Sequence, residues 1–221
     1  MQEVSRIAWS SGTERGYGPA RCSCRSNATS FYRGHLMKLW QIVDQKILVS
    51  DRWLRLKAIT YRLPTGAEVA PYYIIEENEW VHIVAVDDHG MVVTVQQYRP
   101  AAEVMCLELP AGVVETGEAV QTAAARELLE ETGLRAKEMI EIGSLWANPA
   151  RQTNRVHVFV ACGLEASGEQ QLDESEDIQC GRASFSELFK LAAVGKFGQS
   201  MHVGSLALAR EFLQQRSATG S

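Results

Sequence analysis

Apolar positions along this chain change their spacing twice. From Trp40 to Val95 they alternate with polar residues or run together in short blocks, at Ile47–Val49, Trp53–Arg62, Glu68–Glu76, Val81–Val86 and Met91–Gln97. A period of two and short apolar runs predict strands. Leu63-Pro64-Thr65-Gly66 and Asp87-Asp88-His89-Gly90 separate them as hairpin turns, with Gly66 and Gly90 supplying positive φ. Between Thr116 and Gly133 the spacing becomes helical. Thr116 or Gly117 is placed to cap the start, Glu118 falls in the first turn, and Gly133 is a natural stop, giving a helix of about fifteen residues. Ala119, Val120, Ala123, Ala124 and Leu128 are its packing positions. Further strands follow at Ile140–Trp146 and Val156–Cys162, then helices at Ser184–Val194 and Gly204–Gln215.

The patterning starts only near position 36. Residues 1–36 are rich in Ser, Arg and Gly with few acids, and are expected to form a disordered or loosely attached extension. Three readings of it stay open: a targeting segment, an upstream extension ahead of Met37, or an artefact. Residues 37–76 predict a small N-terminal β-sheet region, 77–216 the main domain, and 217–221 a flexible tail. A chain of 221 residues, 46% hydrophobic, suffices for one catalytic domain. Its net charge of −5 argues against a nucleic-acid binder, which needs a basic face. No apolar run is long enough to span a bilayer, so no membrane partner is expected. Cys22, Cys24, Cys106, Cys162 and Cys180 form no metal-binding pattern, and their odd number fits a reducing compartment, hence a cytoplasmic location.

The chemistry concentrates on the helix. Glu127, Glu130 and Glu131 stand at i, i+3 and i+4, which stacks three carboxylates along one stripe. Like charges so spaced repel by a few tenths of a kcal/mol per pair, and no set of basic neighbours is evident to cancel all three. A divalent cation would. Oxygen donors without His or Cys favour Mg²⁺, with Mn²⁺ as substitute, and Mg²⁺ commonly bridges one or two carboxylates to substrate phosphates.

The spacing Gly112, Glu118, Arg126-Glu127-Leu128, Glu130-Glu131, Gly133-Leu134 resembles the Nudix box with every position present. Gln97-Tyr98-Arg99-Pro100 and Glu108-Leu109-Pro110-Ala111-Gly112 resemble the ADP-ribose pyrophosphatase branch of the Nudix hydrolases. The resemblance implies an α/β fold, an α/β/α sandwich around a mixed sheet, preceded by a small β-sheet exchanged between the subunits of a homodimer. It implies Mg²⁺-dependent hydrolysis of the diphosphate linkage of ADP-ribose, giving AMP and ribose 5-phosphate. Another nucleoside diphosphate sugar or a dinucleotide is the alternative substrate, and a ligand-sensing module without hydrolysis the alternative class. Metal ligands are then Glu127, Glu130, Glu131 and the carbonyl of Ala111. Arg99 contacts substrate phosphate, Arg126 partners Glu118, and Gly112 keeps its loop tight through a positive φ. The general base falls on Glu174 or Glu176, with Glu130 next in line, and Gly163–Glu169 is expected to hinge that acidic loop.

Overall fold

Residues 38–172 and 177–219 are described by the computed structural model. The expected extension over 1–36 lies outside the described residues, and so do Glu174 and Glu176. Strands β1 (Gln41–Ser50), β2 (Arg55–Arg62) and β3 (Glu68–Glu76) form an antiparallel meander. Next comes β4 (Trp80–Ala85), while β5 (Met91–Arg99) lies between β6 (Val104–Glu108) and the later β10 (Gln179–Ser184) in a three-stranded sheet. A four-stranded mixed sheet has the order β7 (Ala111–Val113), β4, β9 (Arg155–Ala166), β8 (Leu134–Trp146). Within it β4 and β9 run parallel, and the other neighbours antiparallel.

Alternation along β4 builds the layers. Val81, Ile83 and Ala85 leave one face and pack with Ala123, Ala124 and Leu128 of α1 (Val120–Thr132) and with Phe159 and Ala161 of β9. From the other face, Val84 and Val160 join Leu188 of α2 (Phe185–Ala193) and Leu206 and Ala209 of α3 (Ser200–Thr219). A sheet covered by helices on both faces buries its central strands completely, and Val81–Ala85 are all buried. The result is the expected α/β/α sandwich. Truncating a side chain as fully enclosed as Leu128 to Ala would cost roughly 2–5 kcal/mol.

Several expectations are corrected. Helix α1 begins at Val120 and has 13 residues, with Ala119 at the N-cap and no side-chain cap. Glu118 is not in its first turn. Gly117, at φ 85°, turns the chain first, and the Glu118 carboxylate accepts from the Glu115 N–H at 3.0 Å, ahead of the helix. Gly133 does end α1, at φ 68°, and a β-carbon there would also stand 2.6 Å from the Gly168 carbonyl oxygen.

The segment from Gly163 is not a free hinge. Strand β9 continues to Ala166, Ser167 N–H donates to Gly133 O, and Gln171 N–H donates to Glu130 O, so the chain is tied to the end of α1. Helix α3 runs through the start of the expected tail to Thr219. Ala, Gln and Arg favour helix there, and Arg216 pairs with Glu138 at 2.9 Å. Strands β6 and β7 were not expected, whereas the strand expected directly after Ile178 is β10. Strand β6 has five residues and β7 only three, and β10, Gln179–Ser184, has little apolar content and pairs with β5 through its backbone.

Candidate active site

Strand β7 and helix α1 meet across a cleft of about 630 Å³, lined among others by Arg99, Ala111, Gly112, Arg126, Glu127 and Glu131. The i, i+4 spacing puts Glu127 and Glu131 on the face of α1 turned to β7. Buried Glu131 accepts the Ala111 N–H at 2.9 Å, which fixes its carboxylate against the strand. Glu127 comes closer still. A β-carbon on Gly112 would stand 2.0 Å from the Glu127 carboxyl carbon, so glycine is required by that approach. Positive φ is not the reason, since Gly112 lies in an extended strand and is absent from the left-handed residues.

The carboxylate stripe is not left to repel itself, because Arg126 threads it. Its Nε and Nη2 donate to the two Glu118 oxygens, each at 3.0 Å, and Nη1 donates to Glu127 at 2.8 Å and Glu130 at 2.9 Å. Nη2 also reaches the Val113 carbonyl at 3.0 Å. The expected Arg126–Glu118 partnership is present, and the same guanidinium balances two box carboxylates besides. Hydrogen bonds to Glu118 lead the causes that hold Arg126 above its ordinary pKa, and the Arg126 guanidinium in turn holds Glu118 below its own. Glu130 is drawn to Arg126 and is not on the cleft wall, unlike Glu127 and Glu131.

Oxygen donors dominate the α1 side of the cleft. Glu127 and Glu131 face it from α1, and Glu77 and Glu115 line it from the loops; burial raises the Glu77 pKa. This donor set fits a hard divalent cation bridging to phosphate. Among the described residues no three His, Cys, Asp or Glu side chains already form a metal-binding group, and Arg126 pairs with Glu127 and Glu130.

Opposite α1, a buried polar cluster closes the cleft. Arg99 lines it, and its Nε and Nη2 fork onto the fully buried Glu108 at 3.0 and 2.6 Å, which orients the guanidinium on the cleft wall. Those hydrogen bonds raise the Arg99 pKa. Below them His82 of β4 and His202 of α3 stack with ring centres 4.0 Å apart. His202 Nδ1 accepts the Leu109 N–H at 3.0 Å, which holds the turn into β7. Ser205 Oγ donates to Met201 O at 3.0 Å and lies 2.9 Å from His82 Nδ1. Burial, then the charge of Arg99, pushes the His82 imidazole down to about 4, and burial also puts His202 well below the usual histidine range.

Sequence reasoning assigned no role to Glu77, Glu108, Glu115, His82 or His202. For two of them a signal existed. His82 interrupts Val81-His82-Ile83-Val84, and Glu108 sits between Leu107 and Leu109; a polar residue inside a buried apolar run must find a partner.

Comparison with known proteins agrees with this geometry. The pattern of the NUDIX domain matches residues 79–200. An ADP-ribose pyrophosphatase of Bacillus subtilis (strain 168) is 32% identical over 177 residues, covering 80% of this chain and 93% of that protein. A methanol dehydrogenase activator of Bacillus methanolicus is 28% identical over 172 residues, covering 77% and 90%. The crystal structure of an ADP compounds hydrolase superposes with a TM-score of 0.74 at 23% identity, over 83% of this chain and 98% of that one, and so shares the fold. Since the matched domain fills more than half of the chain and carries the carboxylate-lined cleft, the chain belongs to the NUDIX family, as a Nudix hydrolase related to ADP-ribose pyrophosphatases.

Proposed function

We propose that this chain hydrolyses the diphosphate linkage of ADP-ribose with Mg²⁺, giving AMP and ribose 5-phosphate. The observation that carries the reading is the pairing of Glu127 and Glu131 with Ala111 and Gly112 on one cleft wall, in a chain similar to an ADP-ribose pyrophosphatase. Glu127 and Glu131, with the Ala111 carbonyl, would hold Mg²⁺, or Mn²⁺ in its place. The cation, when bound, neutralises charge on the phosphoryl oxygens and acidifies water. Arg126 keeps Glu127 in its pose, and the Ala111 N–H keeps Glu131 in its own. Water attacks phosphorus as the bridging P–O bond breaks, and a carboxylate takes the water proton. Glu174 or Glu176 is assigned that last role on the family resemblance, which puts the general base on a loop after the box. Gln substitution of each in turn, and of both, checks it: full activity in the double variant moves the base elsewhere.

The assay that tests the whole reading gives purified protein Mg²⁺ and a panel of ADP-ribose, other nucleoside diphosphate sugars, dinucleotides and nucleoside triphosphates. Release of AMP and ribose 5-phosphate, fastest from ADP-ribose, is expected. Faster turnover of another sugar nucleotide replaces the substrate, and tight binding of ADP-ribose without turnover replaces the enzyme with a sensing module.

The reading includes a cytoplasmic homodimer. In edge strand β1 every residue is exposed, including Ile42, Val43, Ile47, Leu48 and Val49, an apolar surface that a second copy would cover. Free Cys106, Cys162 and Cys180 suit a reducing compartment. Sedimentation showing a monomer at assay concentration removes the first part, and recovery from an extracytoplasmic fraction removes the second.

A further inference from the structure

The wall of the cleft farthest from the carboxylates in chemistry is made of neutral acceptors. His82 lines the cleft from β4, and Gln199 and His202 line it from the start of α3. Ser205 spends its hydroxyl proton on Met201 O, so its oxygen must accept from His82, which places the proton on His82 Nδ1. Nε2 then carries a lone pair, and among the described residues nothing donates to it. Gln199 Oε1 is a second such atom, buried and without a hydrogen-bond partner among the described residues. His202 is occupied differently: Nδ1 accepts from Leu109, so its proton sits on Nε2. Stacking on His202 in turn fixes the plane of the His82 ring.

A buried acceptor without a partner, as Gln199 Oε1 is, is costly unless a donor reaches it, and His82 Nε2 offers a second lone pair on the same cleft wall. The missing donor is neutral. A phosphate has only acceptor oxygens and would be repelled here, and Glu108 already takes the Arg99 fork. Adenine presents donors and acceptors side by side along its edges, whereas adjacent sugar hydroxyls present two donors.

From this we infer that His82 and Gln199 form a sugar subsite, with His82 Nε2 and Gln199 Oε1 accepting from the vicinal hydroxyls of the sugar joined to the diphosphate. The inference rests on the proposed reading of the cleft as a nucleoside diphosphate sugar site, and deepens it by assigning specificity to these two residues. His202 and Ser205 are positioning residues, which set the ring plane and tautomer of His82. A site built to accept hydroxyl protons discriminates strongly against a ligand lacking them, because its acceptors are then left without a donor when the ligand excludes water.

Affinity rather than turnover gives the test. Calorimetry in Mg²⁺ compares α,β-methylene ADP-ribose with the α,β-methylene analogue of ADP ethyl ester, which keeps the adenosine and both phosphorus centres but has no sugar hydroxyls beyond them. The wild-type protein is expected to prefer the sugar analogue by roughly tenfold or more. His82→Phe and Gln199→Leu should each reduce that ratio several-fold, and His82→Gln, which restores an acceptor, should recover part of it. An unchanged ratio in both variants overturns the inference, as does a wild-type ratio near one or equal weakening of both ligands. Failure of the wild type to cleave ADP-ribose while retaining the affinity ratio overturns the proposed reaction alone. Binding of neither analogue overturns both.

Discussion

Gly112 exists to let Glu127 in. The Glu127 carboxyl carbon lies 2.0 Å, and its nearer oxygen also 2.0 Å, from the place a β-carbon of residue 112 would occupy. Gly112→Ala must therefore push the carboxylate off the β7 wall, while the extended backbone of residue 112 tolerates Ala without strain. Loss of kcat/KM by roughly a hundredfold is expected, with stability lowered by only about 1 kcal/mol. Steady-state kinetics with a urea unfolding curve reads both. A variant with normal kcat/KM would show that Glu127 does not work from this position.

Arg126 ties Glu118, Glu127 and Glu130 into one half-buried network. Lysine keeps the charge but has no planar fork, so it cannot satisfy both Glu118 oxygens and still reach Glu127 and Glu130. Arg126→Lys should destabilise the fold by roughly 2 kcal/mol and reduce activity through a misplaced Glu127. A double-mutant cycle with Glu118→Gln isolates the fork, and additive losses would show that the two side chains act independently.

Strand β4 and the end of α1 were legible because they obey clean local rules, the short run Val81–Val86 that is apolar but for His82 announcing a strand and Gly133 a helix end, whereas the α/β/α layering was implied by the family resemblance. The strands β6 and β7 were not legible. Ala111–Val113 is a three-residue strand that exists because β4 and the carboxylate of Glu131 take its hydrogen bonds, and no local period encodes those. The same limit hid the site electrostatics. Spacing alone shows three carboxylates on a stripe, but that Arg126 curls back across its own helix to bridge Glu127 and Glu130 depends on Glu118 and the Val113 carbonyl anchoring its other nitrogens. Likewise the stacking of His82 on His202 joins residues from β4 and α3, which only the packed sandwich brings together.

Metal dependence follows from charge. An anionic diphosphate meets Glu127 and Glu131 in an acidic cleft, so hydrolysis should vanish in excess chelator and return with Mg²⁺ or Mn²⁺. Glu131→Gln keeps an oxygen to accept the Ala111 N–H while removing the negative charge. Its rate should fall at least roughly a hundredfold with little change in Tm. Undiminished hydrolysis in chelator, or a fully active Glu131→Gln protein, would remove the carboxylates from the mechanism.

Stability should weaken in mild acid for a reason that lies with the histidines. Burial puts His82 at about 4 in the fold, against its ordinary 6.5, and His202 is displaced in the same direction. As pH falls below 6.5 the unfolded chain takes up protons that the folded chain refuses, so the linkage favours unfolding. The contribution is fully present above pH 6.5 and is lost progressively as pH falls toward 4, on the order of 3 kcal/mol for His82. Glu118, held below its ordinary 4.5 by Arg126, adds its loss only at lower pH, and Glu77, raised by burial, opposes the fall by taking up its proton more readily in the fold. The His82 share is therefore read from the difference between wild type and His82→Gln. Denaturant unfolding measured across that window should give a falling free energy in the wild-type protein and a flatter one in His82→Gln, whose amide does not titrate. Equal slopes in the two proteins would mean that His82 accepts its proton as readily folded as unfolded, and would remove the buried neutral imidazole from the cleft wall.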